Sequence, residues 1–97
     1  MYHLVYFDVA PENRDKVVKI FEDAMKSMQG MEGIEPVGLF YPRASGYMFV
    51  SITKCRDYTT WEKYYKSIRE IREKIIPLIT RQTDMFFDEF TTPSRPL

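Results

Sequence analysis

Apolar residues recur along this chain in two distinct periods, and the alternation between those periods predicts the order of its elements. Tyr2 to Val9 is rich in aromatic and β-branched residues and free of Gly and Pro, which predicts a strand. Ala10-Pro11-Glu12-Asn13 then forms a turn able to start a helix, since proline is tolerated in the first helical turn. Val17, Val18, Phe21, Ala24, Met25 and Met28 follow at three- and four-residue steps, tracing one helical face that Gly30 and Gly33 bring to an end. On the opposite face, Asp15 and Lys19, like Glu22 and Lys26, stand four residues apart and mark a solvated side.

Period two returns in Ile34–Tyr41, where Pro36 predicts an edge strand because proline cannot donate to a ladder. A hairpin-type loop at Pro42-Arg43-Ala44-Ser45-Gly46 leads to a third strand, Tyr47–Lys54. There Met48, Val50 and Ile52 take one face, and Tyr47, Phe49, Ser51 and Thr53 the other. Asp57-Tyr58-Thr59-Thr60 offers helix caps, with Thr59 and Glu62 at capping-box spacing. A single second helix of about 18–20 residues is expected next, carrying Trp61, Tyr65, Ile68, Ile71 or Arg72, and Ile75 on one stripe and stopping near Pro77. Thr83–Phe90 reads as the last strand and 91–97 as a Pro-containing tail. The order is βαββαβ, an α+β arrangement of the ferredoxin-like kind, and the 97 residues make one domain spanning 1–97.

Two helices cover only one face of a four-stranded sheet. The other face must be polar or meet another layer. The first and fourth strands are apolar on both sides, with Val5 and Phe7 against Leu4 and Tyr6, and Met85 and Phe87 against Phe86 and Phe90. Seven Phe, seven Tyr and one Trp in so short a chain also call for two buried surfaces. Sheet-on-sheet homodimerisation is the expected solution. Its rival is an open aromatic face that stacks bases, as in an RNA-recognition motif. That motif shares the element order, and its third-strand signature is partly matched by Gly46-Tyr47-Met48-Phe49-Val50-Ser51-Ile52. Charge weighs against nucleic acid: Lys plus Arg and Asp plus Glu number 14 each, with no basic excess to neutralise phosphates. Ser45 also stands where a basic residue is usual in that motif.

The elements and two stretches resemble the dimeric α/β-barrel superfamily, which includes antibiotic-biosynthesis monooxygenases and the stress-responsive, EthD-like and NIPSNAP-like proteins. One stretch is Ile52-Thr53-Lys54-Cys55-Arg56-Asp57-Tyr58-Thr59-Thr60-Trp61-Glu62-Lys63-Tyr64-Tyr65, a strand running into a helix with Trp in its first turns. The other, Pro77-Leu78-Ile79-Thr80-Arg81-Gln82 with Pro93-Ser94-Arg95-Pro96-Leu97 at the end, is NIPSNAP-like. The resemblance implies a ferredoxin-like βαββαβ sandwich that forms a dimeric α/β barrel, with a small-molecule pocket between helices and sheet. It further implies monooxygenase-like chemistry without a cofactor, and the alternative is a dimer that senses or carries an apolar molecule. Haem-degrading members add a histidine iron ligand downstream of the helical Trp. Trp61 occupies a comparable position, but the one histidine here is His3, so haem degradation is disfavoured.

Candidate ligand-binding residues are His3, Tyr6, Phe49, Trp61 and Tyr65, as parts of an aromatic pocket for a small apolar or aromatic molecule. Trp61 offers a stacking surface or fills the core. His3 offers a base that titrates near neutrality or a dimer contact, and Asp8, Asp84, Asp88 and Glu89 are the carboxylates that could approach it in space. No metal site is expected: Asp88 and Glu89 point to opposite faces of a strand, and Asp84 and Asp88 would stand ~13 Å apart. No cofactor is expected either. Cys55 is the sole cysteine, so no disulfide forms within the chain, and it reads as an ordinary half-buried thiol. No apolar run nears the roughly 20 residues of a membrane span, and the strand-like start does not resemble a signal peptide. A cytoplasmic protein is the expectation.

Overall fold

The structure is a computed structural model that describes residues 1–44 and 46–89. Ser45, Phe90 and the expected tail 91–97 therefore lie outside the described residues. Strand β1 (Tyr2–Val9) leads through a 3-10 turn at Pro11–Asn13 into helix α1 (Arg14–Met28). Strands β2 (Ile34–Phe40) and β3 (Phe49–Cys55) follow, then helices α2 (Tyr58–Ser67) and α3 (Arg69–Ile75). A second 3-10 turn, Ile76–Leu78, leads into β4 (Ile79–Phe87). The sheet order is β2-β3-β1-β4 and every pairing is antiparallel, which is the ferredoxin-like α+β arrangement. Pro36 lies in β2, an edge strand as proline requires.

Registers on either side of β1 set the two faces. His3 stands opposite Thr53 and Phe86, Val5 opposite Ser51 and Asp84, and Phe7 opposite Phe49 and Gln82. These residues face the helices. Phe7 and Phe49 are completely enclosed, their rings 5.4 Å apart, and Phe7 stacks on Phe21 of α1 at 5.0 Å. A second cluster gathers Ala24, Met28, Cys55, Trp61 and Tyr64 at the other end of the helical layer. Leu4, Tyr6, Val50, Ile52, Met85 and Phe87 take the face the helices leave open, where Met85 and Phe87 are exposed.

Four boundaries differ from the expectation, each for a local reason. The second helix is two helices, because at Ile68 the backbone leaves helical geometry (φ −99°, ψ 18°). One residue before, the Ser67 hydroxyl donates to the Tyr64 carbonyl at 2.7 Å, the kind of side-chain competition that bends helices. The cap of α2 is Asp57, whose carboxylate accepts from the Thr60 amide at 2.7 Å, in place of the Thr59–Glu62 box. The third strand begins at Phe49 rather than Tyr47. The last strand begins at Ile79, four residues earlier than expected, because a bulge between Asp8 and Val9 brings Val9 opposite Ile79. On α1, Lys19 pairs with Asp23 at 3.2 Å rather than with Asp15. No helix among the described residues is long and apolar enough to cross a membrane.

Gly33 makes the turn into β2 with φ +78°, and a Cβ there would stand 3.0 Å from the Thr60 side chain, so any other residue would be both strained and crowded. Truncating the cap tests the entry to the second helical segment. Asp57→Ala is expected to lower stability, read as a urea midpoint shifted to lower concentration with an unchanged slope.

Candidate functional site

Between the helical layer and the sheet lies a cavity of about 130 Å³. Its floor is His3, Val5, Ser51, Thr53, Gln82 and Asp84 from three strands. Phe21, Ala24, Met25 and Met28 close it from α1. Tyr64, Tyr65, Ile68, Ile71, Arg72 and Ile75 roof it from the second helical segment. The break at Ile68 divides that roof between two helices. In size the space compares with a dry, engineered cavity of about 150 Å³ that accepts benzene.

The polar feature of the floor is a pair. His3 Nε2 lies 3.1 Å from Asp84 Oδ2, and the Gln82 amide donates to the other carboxylate oxygen at 2.6 Å. His3 comes from β1, Asp84 from the neighbouring β4, offset by two residues in the register so that both point inward. The imidazole is buried and held between rings: Phe86 stacks on it at 4.8 Å and Trp61 meets it edge-on at 5.2 Å. Hydrogen bonding from His3, with Gln82 adding to it, holds the Asp84 carboxyl below its usual range against the opposing effect of burial. With Asp84 ionised, the carboxylate can only accept, so His3 Nε2 is the donor of this hydrogen bond. This arrangement can hold a proton at a defined place in an otherwise largely apolar space. Burial pushes the Tyr64 hydroxyl well above the ordinary tyrosine value, so it stays protonated and serves as a hydrogen-bonding group.

The five candidates fall into three groups. His3 and Tyr65 line the cavity. Trp61 stands one layer behind, at the centre of an aromatic cluster: it stacks on Tyr65 at 4.7 Å and contacts Phe86 at 4.8 Å and Tyr58 at 5.3 Å. Its indole Nε1 is buried with no hydrogen-bond partner among the described residues. Phe49 is core, 1% exposed between Phe7 and Tyr41, and lies outside the cavity lining. Tyr6 requires a correction. It alternates with Val5 and Phe7, so it projects from the opposite face, where its ring lies 5.9 Å from Tyr47.

Tyr64 was not anticipated, although its spacing of three from Trp61 places it on the same stripe as Tyr65. Of the carboxylates considered for His3, Asp84 reaches it. Asp8 instead receives Arg81 at 2.7 Å, and Glu89 accepts from the Tyr2 hydroxyl at 3.0 Å. No group of three or more His, Cys, Asp or Glu side chains able to hold a metal occurs among the described residues. Cys55 is fully buried rather than half-buried, and burial raises its thiol pKa.

No protein-family model matches the chain, and no curated protein sequence matches it. Solved structures do. The fold class they define is the ferredoxin-like fold of the antibiotic biosynthesis monooxygenases. One structure of that description superposes with a TM-score of 0.78 at 15% identity, over 94% of this chain and 100% of the other. A cofactor-independent oxygenase, SnoaB from Streptomyces nogalater, gives a TM-score of 0.80 at 14% identity over 97% and 96%. A Nitrosomonas europaea protein described within the same group gives 0.80 at 9% identity over 94% and 100%. At such identities the likeness is one of fold, and it agrees with the superfamily resemblance seen in the sequence.

The pair has a pH signature. Asp84 titrates in the folded state below its unfolded value of about 3.9. The pair therefore contributes its full stability above that value and loses it as pH falls through the lowered folded one. Asp84→Asn is expected to cost about 1 kcal/mol at pH 7, the group being partly exposed. It should also flatten the loss of stability on acidification from pH 5 to pH 2, measured by urea unfolding across that range. Trp61→Ala is expected to cost ~3–5 kcal/mol in the same assay, as truncation of a core aromatic does.

Proposed function

We propose that this chain is a homodimer, joined through its open sheet face, whose helix–sheet cavity binds a small apolar or aromatic molecule and acts on it as a cofactor-independent, monooxygenase-like enzyme. The observation that carries the reading is the His3–Asp84 pair at 3.1 Å on the floor of a largely apolar cavity sized for one ring. The fold shared with the antibiotic biosynthesis monooxygenase structures supports it. His3 and Tyr65 contact the ligand, while Trp61 holds both in position from behind. A cytoplasmic setting accompanies the reading, and so does kinship with NIPSNAP-like proteins. That kinship rests partly on residues 93–97, outside the described part of the chain.

The chemistry needs only a proton acceptor and oxygen. His3 takes the proton of an electron-rich phenol, and the phenolate supplies electrons to dioxygen. The hydroxyl hydrogen and one ring hydrogen leave with one oxygen atom as water, and the other oxygen atom becomes a second carbonyl on the ring. Both pairs of electrons come from the substrate, so no external reductant is consumed. Oxygen uptake with 4-methoxyphenol, above its autoxidation rate and lost in His3→Gln, is the expected result. Saturable binding with no uptake would instead favour a carrier or sensor, for which the same cavity suffices.

The apolar open face of the sheet supports the dimer. Leu4, Tyr6, Val50, Ile52, Met85 and Phe87 make one continuous apolar face, and faces of this kind mark association. Phe49, half of the aromatic pair an RNA-recognition motif would present, is buried on the helical side, which removes it from any base-stacking surface. Light scattering is expected to give twice the 11.6 kDa chain mass, unaffected by a short single-stranded RNA. Met85→Glu with Phe87→Glu should yield monomers. A wild-type monomer that gains mass with RNA would overturn the proposal.

A further inference from the structure

We infer that the molecule held in this cavity is an acid, anchored through an anionic oxygen by Arg72. The inference rests on the cavity being a ligand site, as proposed above, and names the ligand's chemical class. Arg72 lies on α3, where the break at Ile68 turns it over the cavity together with Ile71 and Ile75. Its guanidinium carbon sits over the Tyr65 ring, 3.6 Å from the ring centre, in a cation–π contact. Its Nε is buried and has no hydrogen-bond partner among the described residues, while the side chain as a whole is half-buried. No ion pair involves Arg72 among the described residues, although other arginines are paired: Arg56 with Glu32, Arg69 with Glu73 and Arg81 with Asp8.

A buried guanidinium nitrogen without an acceptor is costly, and native proteins seldom retain one without a reason. The one carboxylate of the lining forms no ion pair with it. Asp84 is the one acidic residue in the lining, and both its oxygens are engaged, one by His3 and one by Gln82. Thus the floor is internally satisfied and the roof is not, and the complement of the roof is an anion. A guanidinium fork binds a carboxylate through two parallel hydrogen bonds, and it binds a phenolate through one. The remaining lining of Ile, Met, Phe and Tyr side chains suits an aromatic or similarly compact apolar body. The ligand class is therefore a one-ring apolar carboxylic acid, its carboxylate towards α3 and the phenolic edge of the proposed substrate left to His3.

Titrating methyl-labelled protein with benzoate and, separately, with toluene tests this, because the Ile68, Ile71 and Ile75 methyl resonances report from inside the cavity. Wild-type protein is expected to bind benzoate about tenfold or more tighter than toluene, charge-assisted forks being the strong class of hydrogen bond. Arg72→Met, close in shape and uncharged, should abolish that preference while toluene still binds. Arg72→Lys should keep part of it, retaining charge but losing the fork. Equal loss of both ligands in Arg72→Met would assign Arg72 a packing role and overturn the anchor alone, as would an unchanged preference for benzoate. If neither compound shifts the wild-type methyl resonances, the cavity is not a ligand site and the anchor falls with it.

Discussion

Strand β1 is hydrogen-bonded on both sides, to β3 and to β4, and the rest of the molecule is aligned by it. Side chains alternate strictly across a strand, so a slip of one residue would exchange its entire buried set for its exposed one. Phe7 and Val9 are almost wholly enclosed, and that fixes the odd-numbered residues inward. His3 is carried into the interior as a consequence. A buried imidazole needs a partner, and the register of β4 supplies one: Asp84 lies across from Val5, two positions from the residue opposite His3, on the same face. The even-numbered Leu4 and Tyr6 are turned outward by the same constraint, and with Met85 and Phe87 they build the apolar outer face. The polar pair inside and the apolar face outside are two results of one alternation.

Above the sheet, the helical layer leaves space where it could have filled it. Phe7, Val9, Val17 and Phe49 pack at one end, and Ala24, Met28, Cys55, Trp61 and Tyr64 at the other. The lining of the cavity draws on both groups. An unfilled volume forfeits dispersion contacts along its whole surface, a real sacrifice in a core this small. The interruption at Ile68 contributes to it, since two short helices meeting at an angle cannot roof a sheet as closely as one. Tyr65 and Arg72 take up part of that space as a stacked pair, and the Trp61 cluster stiffens the corner where His3 sits. A rigid wall beside a partly empty, partly charged space suits recognition better than it suits stability.

Much of this was legible in the chain itself. The period-two runs and the helical stripe located four strands and the helical segments, and Pro36 named an edge. The two-sided apolar first and fourth strands announced a second buried surface. Trp61 and Tyr65 were visible as one stripe because residues four apart on a helix share a face. The errors came where a competing local interaction decided the outcome. Asp57 outcompeted the Thr59–Glu62 box as cap, Ser67 disturbed the turn that periodicity alone would have continued, and a bulge at Asp8 and Val9 moved the start of β4. Tyr6 and Phe49 were grouped with the pocket by residue type, whereas alternation sends the first to the other face and packing takes the second into the core.

The sequence by itself determined which stretches extend and which coil, which residues share a face within each element, and that this sheet is apolar on both sides. These are local properties, set by side-chain periods of two and about 3.6. Only the tertiary structure decided that His3 meets Asp84, 81 residues away, that Arg72 lines the same space with an Nε that no described residue accepts from, and that Trp61 stands behind the cavity rather than within it. Such meetings depend on strand register and on how the helices cross the sheet. Those are set by the sum of many contacts distant in sequence, and no single stretch of the chain contains them.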